Sequence, residues 1–481
     1  MSTLHKGKGV LLLLALTLTC IMVSQTSHAQ YKKKIIRNWI NWNGVFREGV
    51  DSVKRQFAIN NIKGAIVALS AEPIDGVKPY KSKLTSYLKK QIKKQGYRRN
   101  QFIIKKITIN YCACDDPYLW NITADAEVNQ ETDTTGPSQP TVAPPKTPTV
   151  PQGELLAVLG QNDAINVFTD KIAMLQPDSV LQFSNLSFDD KAVIAILDTG
   201  IDTTLFANGM RSEVLWNGPG GSKNMLIGGD PGKYMDDHSY RHGTSVASIA
   251  LESYYKASKN AKIPRLMVIK VLTGEGSGTI FELSCGLSYA HQNHATVINT
   301  SMGYYGVEND VLNYYAEKCH IDSIPIVAAA GNAAGTREPG MECTETIDGN
   351  NKLRNPDHLF YPACLAPKKN LYTVIAVTGF KSPGIPCYYQ NYSSEFVTMG
   401  VLNERTEQLC CMYRLPFINS EFALEGSSFA TPVVSGRLTF NIINMGHHSN
   451  TAEYLRLMHT AKAPHTSAMP EVTESNQYIS Y

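Results

Sequence analysis

Four polar side chains, far apart in the chain, each stand where an apolar run begins or ends: Asp198, His242, Asn332 and Ser428. Ser428 lies in EGSSFATPVVSG (425–436), where Gly426 frees the backbone to turn and small residues with Pro432 open the apolar run of Val433, Val434 and Leu438. That pattern predicts a helix with Ser428 at or just before its N-terminus, proline being tolerated in a first turn because its missing N–H would have no partner there. Helix N-terminal amides and the positive end of the helix dipole favour an oxyanion, which suits a nucleophile; serine is also a favoured N-cap. Asp198 ends AVIAIL within LDTGID and fits a catalytic acid or a turn residue. His242 opens HGTSVASIA, where Gly243, Ala247 and Ala250 would let a helix pack closely, and such a histidine serves as a base or as a structural donor. Asn332 follows AAAG with an amide able to donate, and asparagine after glycine is also an ordinary turn. Together, an acid, a base, a hydroxyl and an amide donor are the parts of an acyl-transfer machine.

The elements that must position these residues read as a parallel sheet with helices. Short apolar runs, AVIAIL (192–197), LMVIKVL (266–272), TVIN (296–299), IPIVAAA (324–330) and LYTVIAV (371–377), alternate with HGTSVASIALESYY, IFELSCGLSYAHQNH and VLNYYAEKCH, each of helical length and period. Strands that are apolar on both faces belong in a sheet covered on both sides. The expected fold is therefore a three-layer, doubly wound α/β domain whose sites form beyond the carboxyl ends of the strands. All four polar residues fall on that side.

In their order, the blocks AILDTGI, HGTSVA, VIKVL with GEGSG behind it, VINTSMG, PIVAAAGN and GSSFATP resemble the subtilisin-like serine proteases, or subtilases. The similarity covers about residues 190 to 440, and the chain order of Asp, His, Ser is the family's. The resemblance implies a subtilisin-like fold and an endopeptidase working through an acyl-enzyme. Ser428 would attack the scissile carbonyl, His242 would take its proton and return it to the leaving amine, and Asp198 would hold the imidazole tautomer. Asn332, with the Ser428 amide, would hold the oxyanion. Gly276, Ser277 and Gly278, together with Ser301, Met302 and Gly303, look like the two strands that clamp an extended peptide by main-chain pairing. Ala329, Ala330 and Gly331 would form one wall of the primary specificity pocket.

A polypeptide is thus the implied substrate, with no nucleic acid partner. No cofactor is implied; a structural calcium stays open but without clear ligands, since after Asp198 no acidic residue stands where the family's tight calcium site draws one. The sequence departs from the family at Ser427, where threonine is usual, in a longer stretch at 336–358, and in EFVTMGV, which lacks the usual Ala and Pro before glycine. Two other functions stay open. One is a catalytically silent binding protein that keeps the fold, although none of the four residues is missing; the other is an esterase or amidase using the same triad on small substrates.

At 481 residues the chain is long enough for more than one domain. Residues 1–29 carry Lys6 and Lys8, an apolar stretch at 9–23, and Ser27 and Ala29 before Gln30, the pattern of a signal peptide cleaved near Ala29. The apolar stretch is short for a membrane span, so the protein is expected to be exported, with a lipid anchor at Cys20 as the alternative. Residues 30–128 form a basic N-terminal domain with 19 Lys and Arg against 8 Asp and Glu, a net +11. There FREGVDSVKRQFAINN and KSKLTSYLKKQIKKQG read as helices and QFIIKKITINY as a strand, making a small α+β unit. Residues 129–152, rich in Pro and Thr, read as a solvated linker, 153–465 as the catalytic domain and 466–481 as a short tail. From 153 onward 23 basic residues face 32 acidic ones, a net −9 that the overall +3 conceals.

Subtilases are commonly made with an inhibitory N-terminal segment, so residues 30–128 are expected to act as an intramolecular inhibitor or as a lasting accessory domain for an anionic surface. Opposite charge would favour docking, screened over about 8 Å at physiological salt. Beyond Cys20 nine cysteines remain, an odd number. Cys343 and Cys364 bracket a polar stretch and are expected to pair. No CxxC spacing favours zinc.

Overall fold

The computed structural model describes residues 31–45, most of 102–131, short strands between 157 and 174, residues 187–402 with interruptions that include 333–350, and parts of 412–480. The expected signal peptide, the two basic helices and nearly all of the expected linker lie outside the described residues.

In the N-terminal region β1 (Tyr31–Val45), β2 (Phe102–Tyr111) and β3 (Leu119–Glu131) form an antiparallel sheet in the order β2, β3, β1. QFIIKKITINY is therefore a strand, as its pattern requires. Next, β4 (Ala157–Gly160) pairs with the open edge of β1, with Asn41 opposite Gly160. The sequence placed residues 157–160 with the large region; the unsatisfied edge of β1 draws them into the N-terminal sheet instead. A separate strand, β5 (Ala164–Asn166), follows.

The large region then runs β6 (Ser187–Asp198), β7 (Lys223–Asn224), α1 (His242–Ala257), β8 (Lys262–Lys270), β9 (Ser277–Thr279), α2 (Ile280–Gln292), β10 (Val297–Thr300), α3 (Asp310–Ile321), β11 (Ile326–Ala329), β12 (Val374–Ser382), β13 (Met399–Leu402), α4 (Ser427–Met445), α5 (Thr451–Leu457), β14 (Ala461–Lys462) and β15 (Gln477–Ser480). Its main sheet has the order β14, β15, β13, β12, β11, β10, β6, β8, β7, parallel except at β14 and where the short strand Ile385–Pro386 pairs antiparallel with β12. All five apolar runs are strands of this sheet. β15 lies in the segment read as a tail. It pairs with β13 and buries Ile479, a lone apolar contribution too small to mark a strand in a polar sequence.

Side chains alternate across the sheet, as strand geometry demands. In β6, Ala195 and Leu197 enter the core beneath α2 and α3, whereas Ile194 and Ile196 enter the core beneath α1 and α4. Each is fully buried, and burying a Leu or Ile side chain gains about 1.5–3 kcal/mol, so the run is stable only between two layers. The result is the three-layer α/β architecture. The N-terminal sheet packs through β1, β3 and β4 on α2 and α3, and Cys112, Cys114 and Leu119 join the core of that side.

The expected Cys343–Cys364 bridge is not formed. Cys364 is a thiol in the short 3-10 turn Ala363–Leu365, 3% exposed and packed into the core. Its Sγ accepts the Phe360 N–H at 3.2 Å, and burial pushes the thiol up to about 12. Cys343 is outside the described residues. Cys112 pairs with Cys114, and Cys387 is also disulfide-bonded.

Candidate active site

The chain leaves β6, passes through α1 to β8 on one side, and returns through α2 to β10 on the other side of β6. This reversal opens a crevice at the carboxyl end of β6, where Asp198 is the last strand residue. Asp198 is fully buried, and its main-chain carbonyl accepts the N–H groups of Val271 and Leu272 at 2.9 and 3.2 Å. Its Oδ1 accepts the Thr199 N–H and bonds to Nδ1 of His242, both at 2.7 Å. A carboxylate oxygen accepts, so Nδ1 donates this bond, and in the neutral imidazole Nε2 is the acceptor nitrogen. Among the described residues neither Nε2 of His242 nor Oδ2 of Asp198 has a hydrogen-bond partner.

His242 opens α1 after Arg241, which holds a left-handed φ of 49° and gives no side-chain cap. The first amides of the helix are satisfied by Thr199 and Asp236 instead, as a buried helix start requires. The Gly243 N–H donates to Thr199 Oγ1 at 2.9 Å and the Thr244 N–H to Asp236 Oδ2 at 2.9 Å. Asp236, fully buried, also accepts the Thr244 hydroxyl at 2.7 Å, the Thr199 hydroxyl at 2.9 Å and the His238 N–H at 3.2 Å. One carboxylate therefore ties the residue after Asp198 to the residue two beyond His242. Sequence reading missed Asp236; its only signal is an acidic pair in a polar loop upstream of the histidine. Gly243 is demanded by contact, because a Cβ there would lie 2.3 Å from the Gly200 carbonyl oxygen. The His238 ring lies 6.1 Å from that of His242, and burial followed by the neighbouring His242 lowers its pKa.

Ser428 is the second residue of α4, and the N-cap is Gly426 at φ 140°, so the serine is not the cap. The ring of the next residue, Phe429, packs 5.1 Å from the His242 imidazole. Pro432 is the sixth helical residue rather than part of the first turn. Lacking an N–H, it leaves the Ser428 carbonyl without its helical donor. That carbonyl accepts the Ser301 hydroxyl at 2.7 Å; Ser301 Oγ accepts from Asn299 Nδ2 at 2.9 Å, and Asn299 Oδ1 accepts from Ser435 at 2.8 Å. Ser301, expected to clamp peptide, thus has its side chain engaged beneath the serine.

Asn332 follows β11 and is 2% exposed. Its Oδ1 accepts the Ser427 N–H at 3.1 Å, which makes Nδ2 the donor end of the amide, and its carbonyl accepts the Tyr305 hydroxyl at 2.7 Å. Asn391 Nδ2 donates to Tyr305 Oη at 2.7 Å and to the Ala330 carbonyl at 2.9 Å. Burial pushes the Tyr305 hydroxyl up to about 12, so it stays a donor. Neither Tyr305 nor Asn391 carries a sequence signal that sets it apart from an ordinary core residue.

The expected substrate strands are placed as follows. Gly276 makes a left-handed turn at φ 71° into β9, which contains Ser277 and Gly278. β9 pairs antiparallel with β5 of the same chain, Ser277 opposite Asn166, Gly278 opposite Ile165 and Thr279 opposite Ala164. Met302 turns its side chain into the core, and a Cβ on Gly303 would meet Phe360 and the Tyr361 carbonyl at 2.4 Å. Ala329 and Ala330 are buried, and Gly331, at φ 86°, accepts the Asn391 N–H at 2.9 Å.

The family model described as the subtilase family matches residues 189–475, more than half of the chain. The cell wall-associated protease of Bacillus subtilis is 36% identical over 117 residues, 23% of this chain and 12% of that protein. Subtilisin DY of Bacillus licheniformis is 34% identical over 119 residues, 23% of this chain and 42% of that protein. The chain therefore spans less than half the length of either relative. A cold-adapted subtilisin-like serine proteinase of known structure is 18% identical with a TM-score of 0.41, over 65% of this chain and 95% of that one.

Proposed function

The chain belongs to the subtilase family, and from that premise we propose that it is a serine endopeptidase acting through Asp198, His242 and Ser428. The observation that carries the reading is the 2.7 Å bond from His242 Nδ1 to Asp198 at the sheet's switch point, next to the helix start that holds Ser428. In the proposed reaction Nε2 of His242 takes the Ser428 hydroxyl proton as Oγ attacks the scissile carbonyl. The tetrahedral oxyanion is held by the Asn332 amide and the Ser428 N–H. Collapse passes the proton from His242 to the leaving amine, and water then repeats the sequence on the acyl-enzyme. Serine–histidine contacts are often long without substrate and tighten in the complex, so an unengaged Nε2 is compatible with this role. Ser277 and Gly278 would pair with one edge of an extended peptide and the Ser301–Met302–Gly303 segment with the other, with Ala329, Ala330 and Gly331 walling the primary pocket. The reaction as drawn uses side chains, one main-chain N–H and water, without a cofactor.

In this reading the chain ahead of the large domain acts as an intramolecular inhibitor. The support lies in β5, beyond the N-terminal sheet: in the β5–β9 ladder residues 164–166 take the edge that a substrate peptide would need. Export is proposed from the residue pattern of 1–29, with the lipid anchor at Cys20 as the alternative; no helix among the described residues is long and apolar enough to cross a membrane.

The test compares the protein with its His242→Ala variant on an unfolded protein and on a small ester. Cleavage of internal peptide bonds lost in the variant supports the endopeptidase. Ester hydrolysis without peptide cleavage would favour the esterase, and no turnover of either would favour a silent binding protein.

A further inference from the structure

Three sulfur atoms from the two halves of the molecule meet in the core beneath α2 and α3. Cys112 and Cys114, just after β2, are joined to each other as a disulfide, and Cys285 on α2 carries a thiol. The three Sγ atoms lie within 4.8 Å of one another. The cysteines are 8%, 4% and 0% exposed, in a core shared with Leu119 of β3 and Phe281 of α2. The serine chemistry uses none of them. A thiol beside a disulfide has a defined reactivity: its thiolate attacks one sulfur and displaces the other.

We infer that this trio is a thiol–disulfide exchange site that moves the disulfide from within the N-terminal sheet to a covalent link between that sheet and α2. In the step, Cys285 Sγ gives up its proton and bonds to the sulfur of Cys112 or Cys114. The Cys112–Cys114 bond breaks, and the displaced sulfur takes the proton. One S–S bond forms as one breaks, so no oxidant or reductant is consumed. The apolar surroundings slow formation of the thiolate but also keep outside thiols away, which leaves Cys285 the favoured partner by proximity. The linked form fixes the N-terminal sheet to the large domain even if the intervening chain is cut, independently of whether the triad is active.

The test uses the full chain incubated in a glutathione buffer, sampled over time, denatured and alkylated in acid, and digested with pepsin without reduction. Mass spectrometry should find a peptide joining the Cys112–Cys114 segment to the Cys285 segment, rising as alkylation of Cys285 falls, and absent from Cys285→Ser. A Cys114→Ala variant, which leaves α2 untouched, should form the Cys112–Cys285 link under mild oxidation. After a tryptic cut in residues 129–152, the N-terminal fragment of the linked protein should separate on a denaturing gel only with reductant. Full alkylation of Cys285 at every time point with the Cys112–Cys114 bond intact, together with no link in Cys114→Ala, would overturn the inference.

Discussion

The Ser301 hydroxyl donates to the main-chain carbonyl of Ser428 at 2.7 Å, supplying the hydrogen bond that Pro432 cannot. The carbonyl of Ser428, the proposed nucleophile, is thereby held by the residue that follows β10 and not by its own helix. Ser301→Ala should leave that buried carbonyl unsatisfied and cost about 1–3 kcal/mol of stability, with turnover falling about tenfold for each 1.4 kcal/mol of lost positioning. Thermal denaturation and kcat on one peptide check this; unchanged values for both would mean that the bond positions nothing.

The Asn332 amide has two ends with two duties. Asn332→Ala should lower kcat by about 10² to 10³ with a small change in KM. Because Oδ1 also accepts the Ser427 N–H, Asn332→Asp keeps that acceptor while losing the donor. Similar kcat losses in both variants would assign the effect to the donor, whereas near-normal turnover in Asn332→Asp would assign it to the backbone contact.

Asp236 collects two hydroxyls and two main-chain N–H groups that join the Asp198 and His242 loops. Asp236→Asn turns one acceptor into a donor facing donors. It should cost about 1.5–3 kcal/mol, the range of a hydrogen bond to a charged group, and lower kcat as well. A denaturation midpoint indistinguishable from the parent would remove Asp236 from the account.

Asp310, at the start of α3, has its pKa pushed up to about 6 by burial and then by Glu308. The folded state binds this proton more tightly than the unfolded chain does, so the stability it contributes is complete at low pH and is lost as pH rises from about 4 to about 6. Asp310→Asn should remove that decline. The difference in melting temperature between parent and variant should therefore widen in the variant's favour across this window and level off above it; a constant difference would contradict the assignment.

The active form should begin beyond Asn166, because β5 must leave the β9 edge before a substrate can pair there. N-terminal sequencing of an active preparation checks this. Activity from a chain that keeps residues 164–166 would argue against inhibition by this segment.

Much of this architecture is legible in the residues. Runs such as AVIAIL and IPIVAAA are apolar on both faces and admit only a two-sided sheet, and that sheet puts Asp198 and Asn332 at strand ends. What stayed hidden depends on long-range pairing. Residues 157–160 join β1 through main-chain bonds that leave no side-chain signature, and Ile479 alone could not announce β15. Cys364 packs into the core, which loop composition could not reveal. Asp236, Tyr305 and Asn391 act through hydrogen bonds to residues distant in the chain, and nothing in their local sequence records those partners.

The proposed reaction stands or falls with Ser428 as the nucleophile activated by His242 and Asp198. A peptidyl phosphonate leaves an adduct on such a nucleophile, and mass spectrometry of the labelled, active protein locates it. The expected result is one modification, on Ser428, formed in step with loss of proteolysis and absent from Ser428→Ala and from His242→Ala. Labelling of another residue with loss of activity, or proteolysis retained in Ser428→Ala, would contradict it.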